Sequence, residues 1–256
     1  MTQLVFLPGL HGDAHTWSPV LRALPGEWTA TAMDLPAVSD LDALVDELAG
    51  QVASQVAPSG VVVGHSLGGV VAMHLAERHP ALMAGLVLVT APVGAEDSES
   101  AAARAARAAG LSLGAYEEIA LDGMEAVYYG DRGHDPQVRA ERLRAARAYG
   151  PERFAAHSLA LGARPDRSRF PVQAPCPVLI VGASHDQVVP TAGQRRWAED
   201  NGARAASTQT AGIGTSSGEA SRVTYVEIPE TGHMLPVEAP QQLAGAISDW
   251  CRTLDI

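Results

Sequence analysis

The sequence contains no lysine: its 18 Lys+Arg positions are all arginine, against 29 carboxylates, for a formal charge of −11 over 256 residues. Without a lysine amine there is no pyridoxal Schiff base, no serine–lysine dyad and no lysine of a phosphate-binding P-loop. The acidic balance argues against a nucleic-acid surface or an anionic membrane as partner. Cysteine is scarce too. Cys176 and Cys251 are too few and too far apart for a disulfide framework or a zinc site, and read as ordinary buried or partly buried thiols. No apolar run approaches the roughly 20 residues that span a bilayer. The N-terminus lacks a charged region followed by a signal-like apolar core, so the expected compartment is the cytoplasm. What is plentiful is apolar content, at 46%, which suits one globular domain with a full core and room for an insertion.

The most informative run is Val61-Val62-Val63-Gly64-His65-Ser66-Leu67-Gly68-Gly69. It places a serine inside Gly-x-Ser-x-Gly between an apolar strand and a helix carrying Val70, Val71, Met73, Leu75 and Ala76, the pattern of a nucleophile elbow. Such a turn holds its serine exposed at positive φ while the glycines let neighbouring chain pass close. A serine nucleophile needs a base, and the base needs a carboxylate to orient it. The strand Pro177 to Gly182 leads into Ala183-Ser184-His185-Asp186, and the strand Val223 to Ile228 leads into Pro229-Glu230-Thr231-Gly232-His233-Met234. Asp186 and His233 thus fall at the carboxyl ends of their strands, in the chain order Ser, Asp, His.

Through Gly64 to Gly68, the Gly-x-x-x-Asp-x-x-x-Pro stretch from Gly182 to Pro190, and Gly232-His233, the chain resembles the α/β-hydrolase family. The resemblance covers nearly the whole chain apart from its middle and one late insertion. It implies a cofactor-free serine hydrolase acting on a small carboxylic ester or lactone, with Ser66 as nucleophile, His233 as base and Asp186 orienting the imidazole. Family members usually carry His-Gly directly after the first strand. Here Pro8-Gly9 takes that place and His11-Gly12 lies three residues later. Leu10 is therefore expected to supply one oxyanion-hole N–H, in preference to Gly12, and Leu67 the other. The same triad also serves thioesterases, acyltransferases, carbon–carbon bond hydrolases and lyases, and some relatives keep it as small-molecule receptors, so ester cleavage is one choice among these.

Strands are expected at 3–7, 28–33, 60–64, 85–90, 177–182 and 223–228, alternating with helices at 15–24, 40–56, 67–79, 190–200 and 238–254, which predicts an α/β fold with helices on both faces of a parallel sheet. The first strand leads straight to the oxyanion loop, leaving no residues for the family's N-terminal hairpin. Six strands, all parallel, are therefore expected, and the resemblance implies the spatial order 2-1-3-4-5-6. Residues 1–93 and 171–256 would form the catalytic domain and 94–170 an inserted helical cap, with helices near 98–109, 114–128, 136–148 and 151–161. The stretch from Asn201 to Arg222, rich in Gly, Ser, Thr and Ala, is expected to be a mobile loop remote from Ser66. Its Gly212 to Gly218 run misses the spacing of a nucleotide loop.

The cap segment holds 11 arginines and 12 acidic residues, so its arginines read mostly as a solvated helix face. Arg139, Arg142, Arg144 and Arg147 are those that bear on an anionic substrate. Met124, Val127, Tyr128 and Tyr149 are candidates for a pocket roof, with His65 beside the serine and Met234 and Leu235 beside His233. The charge-poor surroundings of Leu10, Leu67, Met234 and Leu235 point to neutral substrates. His11 and His15 have i, i+4 spacing but lack the glutamate of a zinc-binding helix, so no metal site is expected. His185 neighbours the triad acid, and His74, His79, His134 and His157 carry no motif.

Overall fold

A computed structural model describes residues 3–205 and 222–254. Its centre is a sheet of strands β1 (Gln3–Leu7), β2 (Thr29–Ala32), β3 (Gly60–His65), β4 (Met83–Val89), β5 (Val178–Ala183), β6 (Arg204–Ala205) and β7 (Val223–Ile228) in the order β2-β1-β3-β4-β5-β7-β6. Every pairing is parallel. The six longer strands take the expected order, and the two-residue β6 adds an edge pairing with β7 that the expectation lacked.

The central strands read as continuous apolar runs because both of their faces are buried. Side chains alternate between two cores. Val5, Leu7, Val62, Leu86, Leu88, Val178 and Ile180 pack with helices α2 (Leu41–Val56), α3 (Leu67–Arg78) and α9 (Thr191–Asp200). Leu4, Phe6, Val61, Val63, Val87, Val89, Leu179 and Val181 pack on the opposite face under α1 (Ser18–Ala23) and α11 (Pro240–Cys251). The helix expected at 15–24 begins as a 3-10 turn, Ala14–Trp17. The one expected at 238–254 starts at Pro240, after the short α10 (Leu235–Glu238). Both cysteines are buried in these cores, and burial pushes each thiol up to about 12.

Between β4 and β5 the chain forms only helices: α4 (Ser98–Ala108), α5 (Leu113–Leu121), α6 (Met124–Val127), α7 (Pro136–Gly162) and α8 (Phe170–Gln173). The starts of α4, α5 and α7 are capped by Asp97, Ser112 and Asp135, whose side chains accept otherwise unpaired N–H groups of the first turn. The expected helix at 114–128 is split at Gly123 (φ 68°), whereas the pair expected at 136–148 and 151–161 is present as the two helical stretches of α7, which meet at the non-helical Gly150 (φ 78°, ψ 157°) ahead of Pro151. Tyr116, Ala146, Tyr149 and Phe154 form this insertion's own core. No helix among the described residues is long and apolar enough to cross a membrane. Most of the stretch from Asn201 to Arg222, expected as a remote mobile loop, lies outside the described residues.

Candidate active site

The carboxyl ends of β1, β3, β4, β5 and β7 face the helical insertion, and the strand order reverses between β1 and β3, where open parallel sheets form a crevice. Ser66 stands at the end of β3 with φ 51° and ψ −116°, a conformation that costs about 1–3 kcal/mol outside glycine and persists only when the surroundings over-determine it. They do so here. The Ser66 N–H donates to the Val89 carbonyl (2.9 Å), and the Ser66 carbonyl accepts from Gly69 and Val70 in the first turn of α3.

Asp186 and His233 converge on this serine. His233 Nε2 lies 3.0 Å from Ser66 Oγ and its Nδ1 lies 2.9 Å from Asp186 Oδ2. Asp186 is held in turn: Oδ1 accepts from the N–H groups of Val188 and Val189 (2.9 and 2.8 Å), and Oδ2 accepts from Gln194 Nε2 at 3.1 Å. With Oδ2 fixed, the imidazole is oriented with Nε2 toward the serine. The three residues expected to act together from three separate strands form one hydrogen-bonded chain.

Further side chains, of which the sequence singled out only His65, hold the His233 loop. The His233 carbonyl accepts from His65 Nε2 (2.9 Å) and Thr90 Oγ1 (3.2 Å), and its N–H donates to Val127 O of the insertion (2.8 Å). Glu238 accepts from Tyr129 N (2.8 Å), Gly232 N (3.1 Å) and Met234 N (3.2 Å), which ties the insertion and both neighbours of His233 to one carboxylate. Burial raises the Glu238 pKa against the pull of these three donors. The available signal was a lone carboxylate in the otherwise apolar run from Met234 to Pro240.

His65, expected beside the substrate, is instead buried under the loop. Burial first and the charge of His233 second depress its pKa to about 3. Between that value and the ordinary 6.5 the unfolded chain binds the extra proton, so this group's contribution to stability is present above about pH 6.5 and is lost as pH falls through about 3. His65→Gln keeps a donor for the His233 carbonyl and removes the titration. From about pH 6 to about pH 4, urea unfolding should show the parent losing stability more steeply than His65→Gln, by up to about 1.4 kcal/mol per pH unit. Parallel slopes would mean that His65 is charged in the folded chain.

The loop after β1 passes over the serine so closely that a Cβ on Gly9 would lie 3.1 Å from Ser66 Cβ and 2.7 Å from His65 Nδ1. The Gly12 N–H is taken by the Gly9 carbonyl (3.1 Å). Among the described residues no hydrogen bond takes up the N–H of Leu10 or of Leu67. Asp13, at the end of this loop, receives both Nη groups of Arg144 at 3.0 and 3.1 Å, fastening α7 over it.

A cavity of about 150 Å³ lies between loop and insertion, lined by His11, Gly12, His15, Thr16, Ser18, Pro19, Arg22, Tyr128, Val138, Glu141, Arg142, Ala145, Met234 and Val237. Of the expected pocket residues it includes Tyr128 and Met234. Met124 packs against those two from behind. Leu235, expected in the pocket, is instead fully buried in the sheet's lower core because α10 turns it toward α11. The arginines expected on a solvated face divide: Arg144 holds Asp13 and Arg147 holds Glu117, whereas Arg142 turns into the cavity. His11 lines the same cavity. It stacks on Phe154 and Tyr116 at 4.9 and 5.5 Å between centroids, its Nδ1 lies 3.0 Å from Tyr116 Oη, and burial lowers its pKa well below the ordinary value.

The model of the alpha/beta hydrolase family matches residues 4–246, and the chain belongs to that family. It is 32% identical over 96 residues to a putative carbamate hydrolase RutD of Pantoea ananatis (strain LMG 20103), covering 34% of this chain and 35% of that one. It is 36% identical over 110 residues to a 2-succinyl-6-hydroxy-2,4-cyclohexadiene-1-carboxylate synthase of Enterobacter sp. (strain 638), covering 40% and 42%. These matches span well under half the length of the curated relatives. Among solved structures, a thermophilic esterase from Thermogutta terrifontis superposes with a TM-score of 0.84 at 22% identity, over 100% of this chain and 91% of that one. The enol-lactonase from Burkholderia xenovorans LB400 gives 0.78 at 18% identity, over 98% and 91%. At such identities the likeness is one of fold.

Proposed function

We propose that the chain is a serine hydrolase that cleaves a small carboxylic ester or lactone through an acyl-enzyme, with residues 94–170 as its cap. The observation that carries this reading is the Asp186–His233–Ser66 hydrogen-bonded chain on a strained turn beneath the insertion. Likeness to an esterase and a lactonase supports the same class.

In this reading Ser66 Oγ attacks the substrate carbonyl as its proton passes to His233 Nε2. Asp186 Oδ2 holds Nδ1–H and stabilises the imidazolium that forms. The new oxyanion lies between the N–H groups of Leu10 and Leu67, donors fixed before the reaction and free of other partners. Collapse expels the alcohol, which takes the proton from Nε2 and leaves an ester on Ser66. Water then surrenders a proton to Nε2, attacks that ester, and the acid departs as Ser66 recovers its hydrogen.

Treatment with a fluorophosphonate is expected to add one phosphonyl group to the peptide carrying Ser66 and to abolish hydrolysis of p-nitrophenyl acetate. Across p-nitrophenyl esters kcat/KM should rise with acyl length by up to about fourfold per methylene, the equivalent of about 0.8 kcal/mol, and collapse once the cavity is filled. An intact activity after phosphonylation, or a label on another residue, would refute the assignment of the nucleophile.

A further inference from the structure

Seven of the arginines in the insertion hold a carboxylate oxygen within 4.0 Å. Arg142 does not. Its Nε donates to the Ala120 carbonyl at 3.0 Å, and among the described residues neither of its Nη groups has a hydrogen-bond partner. The guanidinium lines the cavity beside the neutral phenol of Tyr128, and among the described residues no carboxylate oxygen lies within 4.0 Å of it. Burial lowers its pKa, but an arginine this far above neutrality remains a cation. A partly enclosed cation with no counter-ion is costly to hold, and its planar fork of N–H donors is matched by a carboxylate. The acidic side chain among the residues that line the cavity, Glu141, is already engaged by Arg144 at 2.7 Å and stands half in solvent.

The position of this cation relative to Ser66 gives it a use. His11 and Gly12 follow Leu10 in the chain, and Met234 directly follows His233, so the cavity that Arg142 lines is built in part from residues next in sequence to the proposed reaction centre. We infer that Arg142 receives a carboxylate carried by the substrate, so that the preferred substrates are monoesters or lactones bearing a free carboxylate a few carbons from the scissile carbonyl. This rests on Ser66 being the nucleophile. It reverses the expectation of neutral substrates, which weighed Leu10, Leu67, Met234 and Leu235 but could not place the arginine. A single guanidinium in so small a cavity suits a monoanionic planar carboxylate better than a phosphate dianion.

The test compares two esters that differ only in charge, mono-p-nitrophenyl glutarate and its methyl diester, on the parent chain, Arg142→Gln and Arg142→Lys. The parent should favour the free carboxylate by about 10- to 100-fold in kcat/KM, chiefly through KM. Arg142→Gln should bring the ratio to near one, and Arg142→Lys should leave it in between, since it keeps the charge but not the fork. The ratio is internal to each preparation, so partial misfolding does not alter it. A parent that prefers the diester, or a ratio unchanged in Arg142→Gln, would overturn the assignment. Hydrolysis of the diester reads the serine-hydrolase reading separately. If neither ester turns over, calorimetric binding of glutarate decides: about tenfold weaker binding to Arg142→Gln supports the site, and equal binding overturns it.

Discussion

Ser66→Ala is expected to lower ester turnover by on the order of 10⁶-fold while the chain stays folded. The two halves of that result have different sources. The alanine methyl occupies the space of the serine Cβ, and Val61, Val62 and Val63 beneath it, with the Val89 carbonyl that receives the residue 66 N–H, are untouched. Alanine at φ 51° is no more strained than serine, so the melting temperature should stay within a few degrees. Chemistry is lost because no other hydroxyl sits on His233 Nε2. His233→Ala should be as severe, and Asp186→Asn should cost on the order of 10⁴-fold by letting the imidazole adopt the wrong tautomer. Since the three act as one unit, the double variant Ser66→Ala with His233→Ala should be no slower than Ser66→Ala alone, both retaining only what the oxyanion donors and binding supply. Stopped assays with active-site titration check this. Activity within tenfold of the parent in Ser66→Ala would dismiss the serine mechanism.

What could be read from the sequence was what short-range pattern encodes. Val61 to Val63, Leu86 to Val89 and Val178 to Val181 are continuous apolar runs because they are buried on two faces, and each is followed at once by a turn that carries Ser66, Thr90 or Asp186. That local rule sufficed to place these strands and to put Ser66 and Asp186 at their carboxyl ends, whereas the spatial order of the strands came from the family resemblance. The two-residue strand Arg204–Ala205 carries no pattern long enough to read, and the break at Gly123 depends on a positive φ that glycine permits but does not require, whereas Gly150 ahead of Pro151 marked its break in the sequence. Roles set by distant partners were the least legible. Arg142 and Arg144 are two residues apart on one helix, yet one meets Asp13, 131 positions away, and the other meets no carboxylate. Glu238 is distinguished only by three N–H groups, one of which comes from the insertion, and periodicity contains no trace of such encounters.

Gly68→Ala is expected to destabilise the fold by about 3 kcal/mol, the upper end of what overpacking costs, and to lower the melting temperature by roughly 6 to 12 °C in a chain of this size. An added Cβ at residue 68 would lie 2.3 Å from the Leu7 carbonyl oxygen and 2.7 Å from that of Pro8. Both obstacles are backbone at the end of β1, so relief requires α3 to move off the strand rather than a side chain to rotate. That motion separates the two sides of the proposed oxyanion hole, because Leu67 rides on α3 and Leu10 on the loop leaving β1. Activity should therefore fall in molecules that remain folded, at temperatures well below the transition. The contrasting substitution is Gly245→Ala, on an exposed turn in the middle of α11 with no heavy atom within 4 Å of the new Cβ. There the gain in helix propensity and the loss of unfolded-state freedom should stabilise the chain by about 0.5–1 kcal/mol without touching turnover. The same methyl group thus carries opposite signs at the two positions, and thermal unfolding followed alongside p-nitrophenyl acetate hydrolysis reads both. Gly68→Ala with parental stability and rate would mean that β1 and α3 are not in the close register on which the two-donor reading of Leu10 and Leu67 depends.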